Sequence, residues 1–274
     1  MKLIPITFDN LFYLYCALIY NNNKTIRLPT PQLEVAENIK RILGNKDFNK
    51  ITMPDHRYQY LLSILATNKE NTMDNIKPTH KEVVSYIKAL AEVEKLTELK
   101  NAESAQVEEH LSLYGNAFEK VTNLFKESFD FESKYKNIYV TRNFGKSGMF
   151  IPVNMDGYLI LGNISYKPNI RNLIHELLHA QLEEVNIKIT QNIKDIINKL
   201  PDEVYDNYKK PYTVVEESLV RSLVVYLTYK NDEFEQEKFS EQDKELVLSE
   251  SYLEILHQDN RIAFSKDYLE NINL

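Results

Sequence analysis

Helical periodicity on both sides of one strand-like block is the feature that most constrains this chain. Before about residue 136, apolar residues recur at three-to-four spacing over 8–20, 31–43, 56–66, 79–100 and 103–129. Pro29, Pro31, Pro54 and Pro78 punctuate the gaps, as proline does near helix starts. Thr79 is a candidate N-cap, and Asn101 is placed to end the fourth helix or cap the next. Residues 137–141, 148–153 and 157–164 are then β-branched or aromatic and bounded by Gly, Pro, Asn and Asp, which predicts three short strands. Helical spacing returns over 169–185, 190–200 and 213–230, with at least two more helices beyond. The expected fold is α+β and mainly helical. A small mixed or antiparallel sheet packs on the helix over 169–185, between a helical N-terminal half and a helical C-terminal region. The coarse division is 1–129 and 130–274, and the two parts need not be separate domains.

Composition removes several classes of function. The chain of 274 residues is long enough to bury a core without staples. With 33 Lys+Arg against 40 Asp+Glu, the formal net charge of -7 argues against a general nucleic-acid binder. A single cysteine, Cys16, excludes an intramolecular disulfide framework and any thiolate-only metal site. Six glycines leave little room for a phosphate-cradling loop, and neither a P-loop nor a dinucleotide fingerprint is present. No apolar run reaches the roughly 18 residues of a membrane span. Residues 11–20 are apolar, but Asp9 and Asn10 precede them and Asn21, Asn22 and Asn23 follow without a small-residue cleavage site. They read as a buried amphipathic helix. Cytoplasmic is the default expectation, with secretion the alternative if a leader has been removed.

The chemistry concentrates in the helix over 169–185, which contains His175-Glu176-Leu177-Leu178-His179. Histidines four apart lie one turn apart on one face, with Cβ atoms about 5–6 Å apart. Two imidazole nitrogens there can reach one zinc ion at about 2.0–2.1 Å. Glu176 projects about 100° around the helix, where its carboxylate can approach an activated water without ligating the metal. Leu173, Ile174, Leu177, Leu178 and Leu182 are the candidate core face that desolvates the site. A catalytic zinc needs a third protein ligand and an open position. A metzincin extension is excluded, because Leu182 and Val185 stand where Gly and His would be needed. Downstream, Glu216 and Glu217 lie in a strongly apolar helix, where isolated acids are costly unless paired or metal-bound. On a helical wheel Glu216 falls near the centre of the apolar face, with Leu219, Val220, Leu223 and Leu227. Glu217 falls toward its edge, beside Arg221 and Val224. Burial favours Glu216; reach into a cleft favours Glu217. The acid that is not the ligand is expected to pair with Arg221 or to accept from a histidine.

The strand, the His175–His179 motif and the later Glu-containing helix resemble the zincin metallopeptidases of the gluzincin type, thermolysin-like enzymes among them. The resemblance covers residues 136–230, about a third of the chain. It implies a third ligand on a helix after the motif, followed by a small residue, which is Glu217 before Ser218. It further implies one Zn2+ per chain, with His175, His179 and Glu217 as ligands and Glu176 as general base in peptide-bond hydrolysis. The partner implied is a peptide or protein substrate, bound as an added antiparallel strand along 157–164. Two departures stand out. The interval between His179 and Glu217 is longer than in thermolysin-like enzymes. Arg221 occupies the place where those enzymes carry an Asp that orients the first histidine. Those departures motivate an alternative, a non-catalytic zincin-like binding or regulatory protein. An oxyanion-stabilising Tyr or His is implied without being identified; Tyr212, Tyr226 and His257 are candidates. His56, His80 and His110 read as structural or exposed, and 232–244 as a solvated acidic run.

Overall fold

A computed structural model describes residues 2–5, 9–20, 30–44, 81–143, 149–153, 155–162, 169–200, 210–239, 246 and 248–272. The expected helix over 56–66, Thr79, His56 and His80 lie outside these residues. The chain is α+β and mainly helical, with a small mixed sheet, as expected. It divides into two compact units that no single cut separates. One unit is Met1–Ala117 with Tyr135–Asn169, and the other is Phe118–Lys134 with Ile170–Leu274.

The first unit holds β1 (Lys2–Pro5), α1 (Asp9–Tyr20), α2 (Thr30–Leu43), α3 (Lys81–Ala91), the greater part of α4 (Glu94–Ser128), β2 (Asn137–Asn143), β3 (Met149–Val153) and β4 (Asp156–Gly162). Its core centres on α1, which is buried from Phe12 to Ala17 and again at Ile19, against α2 and α3. The apolar N-terminal segment is therefore a central helix rather than an amphipathic one. Where one helix was expected over 79–100, the chain breaks after Ala91 and starts α4 at Glu94. Thr97 Oγ1 sits 3.3 Å from the freed carbonyl of Ala91 and 2.9 Å from the hydroxyl of Tyr13 on α1. That tertiary pairing satisfies the break where no Gly or Pro announces it. Asn101 neither ends nor caps a helix, because α4 runs straight through it.

The sheet has four strands where three were expected, in the order β1-β2-β4-β3. β1 and β2 are parallel, β2 and β4 are parallel, and β3 is antiparallel to β4. Tyr139 and Tyr158 are directly opposite across β2 and β4, and their rings stack at 5.1 Å. Gly157 is closely packed, since a Cβ there would lie 2.5 Å from the Phe150 ring and 2.7 Å from Cδ1 of Ile138 and both side chains would have to shift. One expectation fails here. β4 is flanked by β2 along its whole length and by β3 over Asp156–Ile160, so its backbone groups are already paired. It cannot receive a substrate as an added strand over that stretch.

The second unit is built around α7 (Pro211–Lys230), with the last turns of α4, α5 (Ile170–Leu182), α6 (Gln191–Ile197), α8 (Leu248–Asp259) and α9 (Lys266–Glu270). α7 starts two residues before the expected position because Pro211 is favoured in a first turn. It is buried at every residue from Ser218 to Thr228, and it packs on α5, α6 and α8. Its hydroxyls turn back onto their own helix: Ser218 Oγ donates to Val214 O at 2.6 Å and Thr228 Oγ1 to Val224 O at 2.9 Å. Ser222 Oγ is shared between Ser218 O at 2.7 Å and Ser249 O at 2.6 Å, which ties α7 to α8. α8 ends at Asn260, whose φ of 45° is the left-handed stop that asparagine tolerates. Among the described residues, no helix is long and apolar enough to cross a membrane.

Candidate metal centre

α5 carries the H-E-x-x-H motif, and both faces of this helix are fixed within the second unit. Leu173, Ile174, Leu177, Leu178 and Leu182 are buried, as their spacing predicts. The chain before β2 clamps the helix from the side. Gln181 Nε2 donates to Phe131 O at 2.8 Å, and Ser133 Oγ donates to Ala180 O at 3.0 Å. Arg171, in the first turn, reaches Glu237 at 3.3 Å and Lys238 O at 2.8 Å. Glu237 belongs to the acidic run read as solvated, so part of that run anchors α5 instead.

α7 brings two carboxylates to the exposed edge of the histidine pair. Nε2 of His175 and Nε2 of His179 are 3.3 Å apart. Glu217 lies 3.5 Å from the first through Oε2 and 3.4 Å from the second through Oε1. The ligand atoms of these three residues all fall within 4.8 Å of one another. Four ligands set tetrahedrally at about 2.0–2.1 Å from one ion are roughly 3.3–3.4 Å apart. The triangle of the two nitrogens and the Glu217 carboxylate, which meets them through different oxygens, has sides close to that spacing. Two imidazoles and one carboxylate are a donor set that zinc and other divalent first-row metals share. The side chains are only about a fifth exposed, at 21%, 17% and 20% for His175, His179 and Glu217.

Glu216 takes a different place. Its Oε1 accepts from Nδ1 of His179 at 3.1 Å, on the far side of the ring from the triangle. Its side chain is 26% exposed against 20% for Glu217, so burial does not single it out as the buried acid of the pair. Arg221 pairs with Glu217 rather than Glu216, with Nε 3.7 Å from Oε2. Glu176 is 7% exposed and close enough to His179 for its charge to favour the imidazolium.

The electrostatics divide the two histidines. Burial holds His175 down to about 4, with Glu217 opposing only in part. Burial also disfavours charge on His179, but hydrogen bonds to Glu216 and Glu217 outweigh it and raise this residue to about 10. Burial would raise Glu217, yet the His179 hydrogen bond and the charges of His175, His179 and Arg221 bring it down to about 2. Without a metal, the cluster is one imidazolium held between two carboxylates, beside one neutral imidazole.

The oxyanion candidates separate clearly. Tyr226 lies nine residues beyond Glu217 on α7, about 13 Å along the axis. Its hydroxyl donates to Arg261 O at 2.9 Å. The ring of His257 packs edge-on against Tyr226 and Tyr229 at 5.3 and 5.1 Å, at that same far end. Neither belongs to the triangle. Tyr212 lies one turn before Glu216, whose charge adds to burial in raising the phenol above its ordinary value. Its hydroxyl donates to Val185 O at 3.2 Å. Comparison with models of known protein families, with curated proteins and with solved structures gives no match.

Proposed function

We propose that this chain is a zinc-dependent metallopeptidase, with His175, His179 and Glu217 holding the ion and Glu176 acting as general base. One observation carries the reading: two imidazole nitrogens and a carboxylate converge with separations of 3.3, 3.4 and 3.5 Å. A zinc ion held there would supply Lewis acidity and bring the pKa of a water toward 7. The protein's own part is then proton handling and desolvation. Glu176 takes a proton from the attacking water and returns it to the leaving nitrogen of the cleaved amide. Its burial and the leucines beneath it keep that carboxylate out of bulk water. Peptide as the substrate class is supported by the likeness of the H-E-x-x-H helix and the downstream Glu217 to the gluzincins. A second reading, a non-catalytic zincin-like module, is favoured by one contact, the Arg221 guanidinium drawing on the carboxylate of Glu217.

Elemental analysis of wild type, Glu176→Gln and His179→Ala, with a peptide-library digest read by mass spectrometry, separates these readings. The metallopeptidase reading expects about one zinc per chain in wild type and Glu176→Gln, loss of zinc in His179→Ala, and chelator-sensitive cleavage by wild type alone. Zinc uptake without cleavage of any peptide would favour the non-catalytic module. No zinc uptake by wild type would overturn the metal site itself.

A further inference from the structure

We infer that Glu216 is a positioning residue, whose carboxylate holds the Nδ1–H of His179 and so presents Nε2 of that ring to the metal. This rests on the metal reading above and adds the group that sets the geometry of one ligand. The two nitrogens of His179 are committed in opposite directions. Nδ1 meets Glu216 Oε1 at 3.1 Å, and Nε2 faces His175 Nε2 at 3.3 Å and Glu217 Oε1 at 3.4 Å. A ring flip would place carbon at both positions and lose both sets of contacts. Glu216 and Glu217 are consecutive on α7, about 100° apart around the axis, so one helix reaches a single imidazole from two sides. An acceptor at Nδ1 faces away from the triangle, which gives Glu216 a role distinct from that of Glu217.

The two histidines are not treated alike. Among the described residues no hydrogen bond reaches Nδ1 of His175. Arg221 stands where the resemblance would put a carboxylate for that first histidine, and it turns instead toward Glu217. An acceptor carboxylate is supplied here by the residue before Glu217, and it acts on the second histidine. Outer carboxylates of this kind fix the tautomer and raise ligand basicity.

The test measures zinc affinity by chelator competition on the full chain, for wild type, Glu216→Ala, Glu216→Gln and Glu216→Asp. Proton NMR of the cobalt-loaded proteins reports the exchangeable Nδ1–H of each ligating histidine, and circular dichroism checks the fold. Glu216→Ala is expected to lose about 10–100-fold in zinc affinity. It should also lose the solvent-protected N–H line that wild type shows, while Glu216→Asp recovers part of both. Should Glu216→Ala not fold, the near-isosteric Glu216→Gln carries the test through the same two readouts. Affinity within about twofold of wild type, with the protected line unchanged, would overturn the positioning role and leave the metal site standing. Failure of wild type to take up zinc or cobalt would overturn both.

Discussion

Arg221 Nε lies 3.7 Å from Oε2 of Glu217, one turn further along the same helix. The pair places a fixed positive charge behind a carboxylate that also faces two histidines. A cation entering the triangle therefore shares Glu217 with a resident guanidinium, and the two compete for the same negative charge.

Arg221→Met should lower the stability of the metal-free protein, because it takes the guanidinium away from a largely buried carboxylate. It should also enlarge the gain in melting temperature on adding zinc, because the carboxylate then has one competing partner fewer. Differential scanning fluorimetry with and without zinc reads both effects. An equal or smaller zinc-induced shift in Arg221→Met than in wild type would show that the guanidinium supports metal binding rather than competing with it.

Metal uptake at pH 7 should release one proton per ion. In the metal-free site His179 keeps its proton up to about 10, whereas His175 is neutral above about 4. Calorimetry in buffers of different ionisation enthalpy measures that number directly. Affinity should fall about tenfold per unit as pH drops from 10 toward 4, and more steeply once His175 also titrates. A value near zero protons at pH 7 would mean that His179 is neutral before the ion arrives.

The same proton has a consequence for the metal-free fold. A folded pKa raised above the ordinary 6.5 gives stabilisation that is complete below about 6.5 and disappears as pH rises through about 10. His175 acts with the opposite sign, since its contribution is lost as pH falls from about 6.5 to about 4. Glu217 adds a loss as pH falls from its ordinary 4.5 through about 2. Melting curves of chelated wild type and His179→Gln should therefore converge as pH is raised from 7 to 10. A gap that stays constant over that range would contradict the assignment of the proton to His179.

Tyr226→Phe should leave zinc content and any hydrolysis unchanged while costing about 1 kcal/mol in stability, the usual worth of one buried hydrogen bond. The hydroxyl that is removed serves Arg261 O, not the triangle. Loss of turnover in a folded, zinc-loaded Tyr226→Phe would mean that this end of α7 takes part in the chemistry.

Gly157→Ala tests the first unit alone. The new methyl group would meet Phe150 and Ile138 at 2.5 and 2.7 Å, and overpacking of this kind costs about 1–3 kcal/mol. Zinc binding should be unaffected. Stability equal to wild type would show that these two side chains move aside freely.

What could be read from the chain followed the range of the interactions. The grouping of His175 with His179 was legible because four residues of helix fix it locally, whatever packs around them. The choice between Glu216 and Glu217 was not legible from burial. α7 is enclosed around its whole circumference from Ser218 to Thr228, so a wheel has no single apolar face to rank them by. The likeness to gluzincins pointed to Glu217, which the fold brings to the histidines; the acid left over was expected to pair with Arg221 or to accept from a histidine, and Glu216 does the second. Long-range pairings left no local mark. At the break after Ala91, Thr97 is met by Tyr13 from α1, and Arg171 is met by Glu237. β1 is only four residues long and offered too little alternation to register as a strand.

That short strand has a consequence during synthesis. Lys2 pairs with Asn137 and Pro5 with Val140, so β1 is synthesised long before the strand that pairs with it. α1, buried from Phe12 to Ala17, likewise precedes α2 and α3, which cover it. The chain therefore makes this apolar helix before its cover, an order in which exposed hydrophobic surface favours aggregation until α3 has followed.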